Sequence, residues 1–151
     1  MCAQRDILNS LVPVLQDIDG DILEFGLGSG RTLDHLRHCF PMRRIILFER
    51  EIRDDCLPEL LPDEIVPGDI RDTSLCLPDG CAALVHADIN TGRASHDQDL
   101  AGWLPALAAR VLTPGGIVAS SFPLCHAKLI EMPLPQSVSR ERYFLARRSK
   151  A

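Results

Sequence analysis

The 151-residue chain has few aromatic side chains and no long apolar segment. Aromatic residues make up 5% of the sequence, with one Trp, one Tyr and five Phe. No run of about 18 apolar residues is free of charged side chains, so we expect no transmembrane helix. The first six residues, MCAQRD, contain no apolar signal core, which argues against export and predicts a cytoplasmic location.

Basic residues are also fewer than acidic ones. The chain carries 16 basic and 21 acidic residues, which gives a formal net charge of -5. Proteins that grip nucleic acids by their phosphates usually show the opposite balance. We interpret the one local exception, the basic stretch at 140–150, as a solvated edge and tail. The composition therefore argues against a nucleic-acid partner.

None of the six cysteines forms a C-x-x-C pair, the tight spacing that zinc sites usually draw on. The closest pair is Cys76 and Cys81, which bracket a turn signal. A disulfide framework is not expected in a protein without a secretion signal. We therefore predict reduced cysteines that act mostly as small apolar residues, and no metal site.

Apolar runs alternate with helical patterns along the chain. We predict strands at 22–25, 44–49, 65–66, 81–86 and 116–121, and helices at 5–17, 31–40 and 98–111. Pro13 is expected to kink or split the first helix, and Pro105 to make the first turns of the last one irregular. Strands that are apolar on both faces and alternate with helices predict an α/β fold with a parallel sheet covered on both sides.

The end of the chain departs from this alternation. Residues 127–132 and 142–146 have strand patterns, and no helix fits between them. Two strands joined without a crossover helix pair in antiparallel fashion. We therefore predict an antiparallel hairpin at the sheet edge.

The strongest chemical signal is the segment from Glu24 to Gly30, which reads EFGLGSG and joins the first strand to the next helix. A glycine-rich turn lets a ligand touch the backbone, and the helix N-terminus offers unpaired N–H groups. Alone, this pattern is also that of an ordinary tight turn. Its place at the first strand-to-helix junction, where open parallel sheets bind ligands, favours an anionic or carboxylate-bearing cofactor.

A second signal is Glu49, which ends the apolar run of the second strand. A lone acid at a strand end is most often simply solvated. Coupled to the glycine turn, however, a carboxylate at this place can accept both hydroxyl hydrogens of a ribose. The two features together predict a cofactor that contains adenosine.

The glycine spacing separates two classes of such cofactors. A dinucleotide fingerprint, G-x-G-x-x-G, would require glycine at position 31, where this chain has Arg31. The spacing is instead G-x-G-x-G, with an acid two residues before the first glycine. In this the chain resembles class I S-adenosylmethionine-dependent methyltransferases, and the resemblance extends over nearly its whole length.

The resemblance implies a Rossmann-like, doubly wound and mostly parallel seven-strand sheet with a C-terminal antiparallel hairpin. It implies one domain over 1–151, with an N-terminal helix at 1–20, a cofactor-binding core at 21–120 and the hairpin at 121–151. The cofactor would be S-adenosyl-L-methionine.

The resemblance also implies roles for particular residues. The glycine turn would hold the methionine part of the cofactor, Glu49 the ribose, Asp69 the adenine amino group, and Ile70 would pack on the adenine ring. The cofactor-binding set that it implies is Glu24, Phe25, Gly26, Gly28, Ser29, Gly30, Thr32, Glu49, Asp69, Ile70 and Asp88.

The catalytic residue is left open. Methyl transfer from a sulfonium needs mainly alignment and desolvation, and a general base only if the acceptor arrives protonated. The titratable side chains at the end of the fourth strand are His86, which we expect to point into the sheet packing, and Asp88. We expect Asp88 to face the cleft, where it could bind the cofactor amine, orient the substrate or act as a base.

The sequence restricts the chemical class of the methyl acceptor only in part. The segment 88–91 lacks the Pro-Pro-aromatic motif that enzymes methylating amino groups of nucleic acids tend to carry, which favours a small-molecule or protein acceptor. Residues 121–128 are too few for a full helix, so the acceptor pocket is expected to have few walls. We expect either a homodimer or higher homo-oligomer that completes it, or a large acceptor over an open cleft.

Three alternatives to this function remain. The first is a non-catalytic module that binds S-adenosylmethionine as a partner or sensor, because no catalytic signature is recognisable. The second is a nicotinamide oxidoreductase, which Arg31 argues against. The third is an aminopropyl transferase, a family that uses more acidic pocket residues than we can place here.

Overall fold

The computed structural model describes residues 2–27, 30–51, 62–89 and 92–150. Four α-helices and seven strands lie within these ranges. In chain order they are α1 (Cys2–Leu11), β1 (Asp21–Phe25), α2 (Arg31–Cys39), β2 (Ile45–Glu49), β3 (Ile65–Pro67), α3 (Ile70–Thr73), β4 (Ala82–Ala87), α4 (Ala94–Val111), β5 (Leu112–Ser120), β6 (Leu129–Glu131) and β7 (Phe144–Arg148). Short 3-10 turns are formed by Pro62–Glu64 and Ser74–Cys76.

The strands form one seven-stranded sheet in the order β3-β2-β1-β4-β5-β7-β6. Neighbouring strands from β3 to β5 are parallel, and β7 is antiparallel to both β5 and β6. The α/β fold class and the antiparallel pair at the end of the chain are confirmed. The strand order reverses beside β1, so the carboxyl ends of β1 and β4 border the crevice where such sheets bind ligands.

Two apolar clusters cover the faces of the sheet because successive strand residues point to opposite sides. In β1, Ile22 belongs to the cluster with α1 and α2, whereas Leu23 and Phe25 belong to the cluster with α4. Strand β1 thus contributes apolar side chains to both faces, as expected for a sheet with helices on both sides. Among the described residues, no helix is long and apolar enough to cross a membrane.

Two helix boundaries differ from the sequence-based expectation. Helix α1 begins at Cys2 and ends at Leu11 rather than covering 5–17. Pro13 explains its end, because proline disfavours the helical conformation of the residue before it. Helix α4 begins at Ala94 rather than at 98 and continues through Pro105. Pro105 is buried among the side chains that pack on the sheet, and this packing holds the helix together although proline removes one hydrogen bond.

The strand boundaries also shift. Strand β5 begins at Leu112, which pairs with Ala82, and the ladder then resumes at Ile117 opposite Leu84. The predicted turn at 113–116 is therefore an irregularity inside the strand rather than a segment before it. The two strands of the hairpin are Leu129–Glu131 and Phe144–Arg148, instead of 127–132 and 142–146.

Candidate functional site

The carboxyl ends of the parallel strands surround a cleft of about 420 Å³. This volume lies in the range of small-molecule sites, roughly 300–1,000 Å³. Five of the side chains and backbone positions predicted from the sequence line it together: Gly26, Glu49, Asp69, Ile70 and Asp88. They come from four different strand ends, so the sheet topology rather than local sequence brings them into one place.

Gly26 lets the turn after β1 approach the loop after β4. Its φ angle is +91°, and its N–H donates to the carbonyl oxygen of Phe48 at 2.8 Å. A Cβ atom at this position would lie 2.8 Å from Cγ2 of Ile89. Both the backbone conformation and the space therefore require glycine.

We expect replacement of Gly26 with alanine to destabilise the fold by about 1–3 kcal/mol, since the left-handed conformation is strained for any other residue and the new methyl group displaces Ile89. Urea denaturation measures this loss. Gly102 is the matched control, because it lies in α4 and its Cβ would meet nothing within 4 Å. Gly102→Ala should leave stability unchanged or raise it by up to about 1 kcal/mol. Equal effects of the two substitutions would contradict the role of Gly26.

Glu49 joins the end of β2 to the glycine-rich turn. One of its carboxylate oxygens accepts the Leu27 N–H at 2.6 Å, and the other accepts the Arg50 N–H at 2.7 Å. Oε2, which accepts the Leu27 N–H, keeps a second lone pair, and the only further bond to Oε1 from the described residues is the long one from the Glu51 N–H at 3.4 Å. Glu49 can therefore hold the turn and still accept hydrogen bonds from a ligand in the cleft.

Asp69 is the N-cap of α3. Its Oδ1 accepts the Arg71 N–H at 3.0 Å, and its Oδ2 lies 3.5 Å from the Arg71 guanidinium and 4.0 Å from that of Arg50. The hydrogen bond from the Arg71 backbone, followed by that from its side chain, holds the pKa of Asp69 below its ordinary value of 3.8. The carboxylate is therefore ionised at neutral pH. Ile70 follows it and is half-buried beside the cleft.

Glu24 lies in the interior rather than in the cleft. It is 2% exposed, and both of its carboxylate oxygens lie within 3.0 Å of Nδ1 of His86, which is fully buried as expected. The other ring nitrogen of His86 bonds the hydroxyl of Tyr143. Burial raises the pKa of Glu24. Burial alone lowers the pKa of His86, but the charge of Glu24 and their hydrogen bond raise it above its ordinary value of 6.5.

Three other predicted positions are also outside the cleft. Phe25 is buried and packs edge-on against Phe48, with ring centroids 5.5 Å apart. Gly30 is the N-cap of α2, with φ +79°. Thr32, in the first turn of α2, donates its hydroxyl to Oε1 of Gln4 at 3.3 Å. Gly28 and Ser29, together with Asn90 and Thr91 of the segment after β4, lie outside the described residues.

Asp88 is exposed where β4 ends, and its Oδ2 accepts a hydrogen bond from the side-chain amide of Gln4 in α1. The sequence alone did not point to Gln4, because its partners, Asp88 and Thr32, lie far from it along the chain. The N-terminal helix is thus tied to the strand end where the methyl acceptor was expected.

Helix α4 also lines the cleft, and the sequence patterns do not assign it to the site. His96, Leu100 and Trp103 line it, one helical turn apart. The Trp103 indole Nε1 is buried and has no hydrogen-bond partner among the described residues. A buried indole N–H usually has a partner, so a bound molecule with an acceptor atom would satisfy it. The spacing of these residues on α4 is the signal that could have identified them.

Side chains that could ligate a metal ion are not clustered in the part of the chain that the structure describes. Within those ranges, no three His, Cys, Asp or Glu side chains are grouped so that they could hold a metal ion. The cleft presents carboxylates, two arginine side chains, apolar walls and backbone groups, which together suit a polar organic ligand.

Comparison with known proteins identifies similar chains. The model of a protein family described as S-adenosyl-L-methionine methyltransferase matches residues 1–148. No curated protein matches the chain. The crystal structure of an S-adenosyl-L-methionine methyl transferase from Silicibacter pomeroyi DSS-3 is 32% identical, with a TM-score of 0.87 over 97% of this chain and 92% of that one.

Two more distant structures share the fold alone. Cofactor-bound Rv0187 from MTB is 16% identical, with a TM-score of 0.63 over 99% of this chain and 81% of that one. MNMC2 from Aquifex aeolicus is 15% identical, with a TM-score of 0.60 over 98% of this chain and 58% of that one.

Proposed function

Since the chain belongs to the S-adenosyl-L-methionine methyltransferase family and S-adenosyl-L-methionine is its cofactor, we propose that the 420 Å³ cleft binds this cofactor. We propose further that the protein transfers the methyl group of the cofactor to a small molecule or a protein. The observation that carries the proposal is the meeting of Gly26, Glu49 and Asp69 at one cleft. A backbone turn and two carboxylates on adjacent strand ends match the polar groups of an adenosine carrying an amino acid.

Each residue has a proposed part in binding. The glycine turn, with Gly26, Gly28, Ser29 and Gly30, receives the methionine part of the cofactor near the N-terminus of α2. The Glu49 carboxylate accepts the ribose hydroxyls. Oδ2 of Asp69, which has only the longer contacts with the two arginines, accepts the adenine amino group while Ile70 packs on the ring.

Glu24, Phe25 and Thr32 act indirectly in this proposal. Glu24 and Phe25 are buried in β1 and set the position at which the strand turns at Gly26. Thr32 bonds Gln4, which in turn bonds Asp88. We propose that this chain of contacts orients Asp88 at the strand end.

The residues of the protein are assigned few chemical steps of their own. When bound, the cofactor supplies an activated methyl group on a positively charged sulfur, so the protein mainly aligns the acceptor and excludes water. Asp88 is the candidate catalytic residue, since its exposed carboxylate at the end of β4 can orient the acceptor or take its proton.

Several broader expectations remain part of the proposal. Residues 1–151 would form one domain. The five cysteines that the structure describes are free thiols, which fits a reducing, cytoplasmic location. We also propose a homo-oligomer, because the short β6 at the sheet edge exposes Ile130 to solvent at 57%.

Binding of the cofactor should raise the melting temperature of the protein. At a concentration about 100 times its Kd, a ligand adds about 2.7 kcal/mol to stability. For a chain of this size that corresponds to roughly 5–10 °C, which differential scanning fluorimetry can measure. We expect this shift with S-adenosyl-L-methionine and with its demethylated product.

NAD is the control, since it shares the adenosine but would need the glycine that Arg31 replaces. An equal shift with NAD, or no shift with either sulfur compound, would contradict the proposed site. Binding without transfer of label to any acceptor fraction of a cell extract would instead support a non-catalytic binding module.

A further inference from the structure

We propose that a second cavity, of about 370 Å³ on the sheet face formed by β5, β7 and β6, binds the methyl acceptor, and that this acceptor is a small molecule with an apolar body and a cationic head. The inference rests on the proposed methyl transfer and names the substrate class for it. The volume is sufficient for a small organic molecule.

The cavity adjoins the strand end where transfer would occur. Ser120 lines it and pairs with Ala87 across β4 and β5. The N–H of Ser121 donates to the carbonyl oxygen of Ala87 at 3.0 Å, and Asp88 is the next residue. Asp88 lines the cofactor cleft. A molecule in the second cavity would therefore lie one strand away from the cofactor site.

The sheet geometry creates the apolar part of the cavity. Directly opposed residues of antiparallel strands share a face, so Ser120 and Phe144 point the same way, as do Val118 and Ala146. The segment that joins β5 to β6 contains no helix, and its Leu124 packs on this face of the sheet. Helix α4 packs on the same face beside β5. The cavity beyond it is lined mainly by apolar side chains.

The carboxylate of Glu131 determines which ligand charge the second cavity favours. Glu131 pairs with Ala146 and therefore lies on the same face, at the end of β6. Glu131 is the only Asp, Glu, Lys or Arg among the described residues that line the cavity, where Cys125 and His126 are the other titratable side chains. None of the ion pairs within the described ranges involves Glu131. A carboxylate beside apolar walls favours a ligand with positive charge. An apolar body with a cationic head meets both features.

Protection of Cys125 tests the site without the cofactor. Cys125 is an exposed free thiol that lines the cavity, whereas Cys76 is an exposed free thiol outside it. We expect phenethylammonium at about 10 mM to slow alkylation of Cys125 by iodoacetamide several-fold, because a ligand with a Kd near 1 mM then fills most sites. Peptide mass spectrometry reports both thiols in the same sample, so Cys76 serves as the internal control.

The charge requirement has its own control. 3-Phenylpropanoate has a similar body and the opposite charge, and should protect Cys125 little or not at all. Glu131→Gln should remove the preference for the cation. The proposal would be overturned if neither compound protected Cys125, if both protected it equally, or if alkylation of Cys76 slowed as much as that of Cys125. It would also be overturned if the preference for the cation persisted in Glu131→Gln.

A transfer experiment separates this inference from the proposed function. Cys125→Trp places a large side chain in the cavity, and Cys76→Trp is the matched control. With methyl-labelled S-adenosyl-L-methionine and a cell extract, we expect label in the metabolite fraction with wild type and Cys76→Trp, and at least a tenfold loss with Cys125→Trp. The cofactor should raise the melting temperature of all three proteins.

The results distinguish a failure of the proposed function from a failure of the acceptor site. No rise in melting temperature with the wild type would mean that the proposed function fails. If the wild type binds the cofactor, three results would overturn the acceptor site and leave the cofactor site in place. Cys125→Trp could label the metabolite fraction as fully as the wild type does, or the label could enter the protein or nucleic-acid fraction instead. The third such result is no labelling by the wild type.

Discussion

Replacement of Glu24 with alanine should lower the free energy of unfolding by about 3–5 kcal/mol, because it leaves a buried ionisable partner without its counterpart. Glu24 and His86 are both almost fully buried, and the pair lies in adjacent strands at the centre of the sheet. A loss of this size is a large part of the 5–15 kcal/mol typical of a domain. Urea denaturation followed by circular dichroism measures it.

Glu64 provides the matched control. It also forms an ion pair, with Arg37 at 2.7 Å, but both side chains are more than a quarter exposed. Partly exposed pairs contribute little, so Glu64→Ala should cost at most about 1 kcal/mol. If Glu24→Ala and Glu64→Ala destabilised the protein equally, the buried pair would have no special role. The double replacement Glu24→Leu with His86→Leu should cost less than the sum of the two single replacements, because it removes both partners together.

The same pair should make the free energy of unfolding depend on pH, with a sign that follows from the directions of the two pKa shifts. The folded-state pKa of His86 is raised above 6.5 by Glu24, and burial raises that of Glu24 above 4.5. A raised pKa means that the folded state binds protons more tightly, so its contribution is complete below the unfolded pKa and is lost as pH rises through the folded value. In the denaturation series, the contribution of His86 should therefore fall as pH rises above 6.5. His86→Gln should lack this fall.

Replacement of Glu49 with alanine should weaken cofactor binding by at least about 100-fold. Hydrogen bonds to a charged group contribute about 1.5–3 kcal/mol each, and the proposed ribose contact involves two of them. The substitution also frees the Leu27 N–H, which Glu49 holds at 2.6 Å, so the glycine-rich turn loses an anchor. Isothermal titration calorimetry with the demethylated cofactor measures the change in Kd.

Glu51 is the control for charge. It is an exposed acid two residues further along and contacts the Glu49 carboxylate only through its own N–H, at 3.4 Å. Glu51→Ala removes the same net charge and should change the Kd less than twofold. Comparable losses from the two variants would show that general electrostatics, rather than the ribose contact, governs binding. Retention of wild-type affinity by Glu49→Ala would contradict the assigned role.

The meeting of several predicted residues at one cleft could be expected from local patterns. Gly26 and Glu49 stand where an apolar strand gives way to a turn, and parallel strands bring such ends to one edge. Glu24, however, has surroundings that the pattern did not predict. Its position two residues before Gly26 implied the cofactor, whereas in β1 it lies beside His86 of β4 and bonds that side chain in the interior. Spacing along one strand does not tell which buried group the neighbouring strand presents.

The α/β fold, the glycine-containing turn after β1, the acid at the end of β2 and the antiparallel end of the sheet can all be recognised in the sequence. Each follows from periodicity or from chemistry within a few consecutive residues. Other features exist only in the folded chain. Gln4 meets Asp88, Tyr143 meets His86, and Ser120, Phe144 and Glu131 line one cavity. These contacts join residues far apart in the chain, and they depend on strand order and register, which local patterns do not contain.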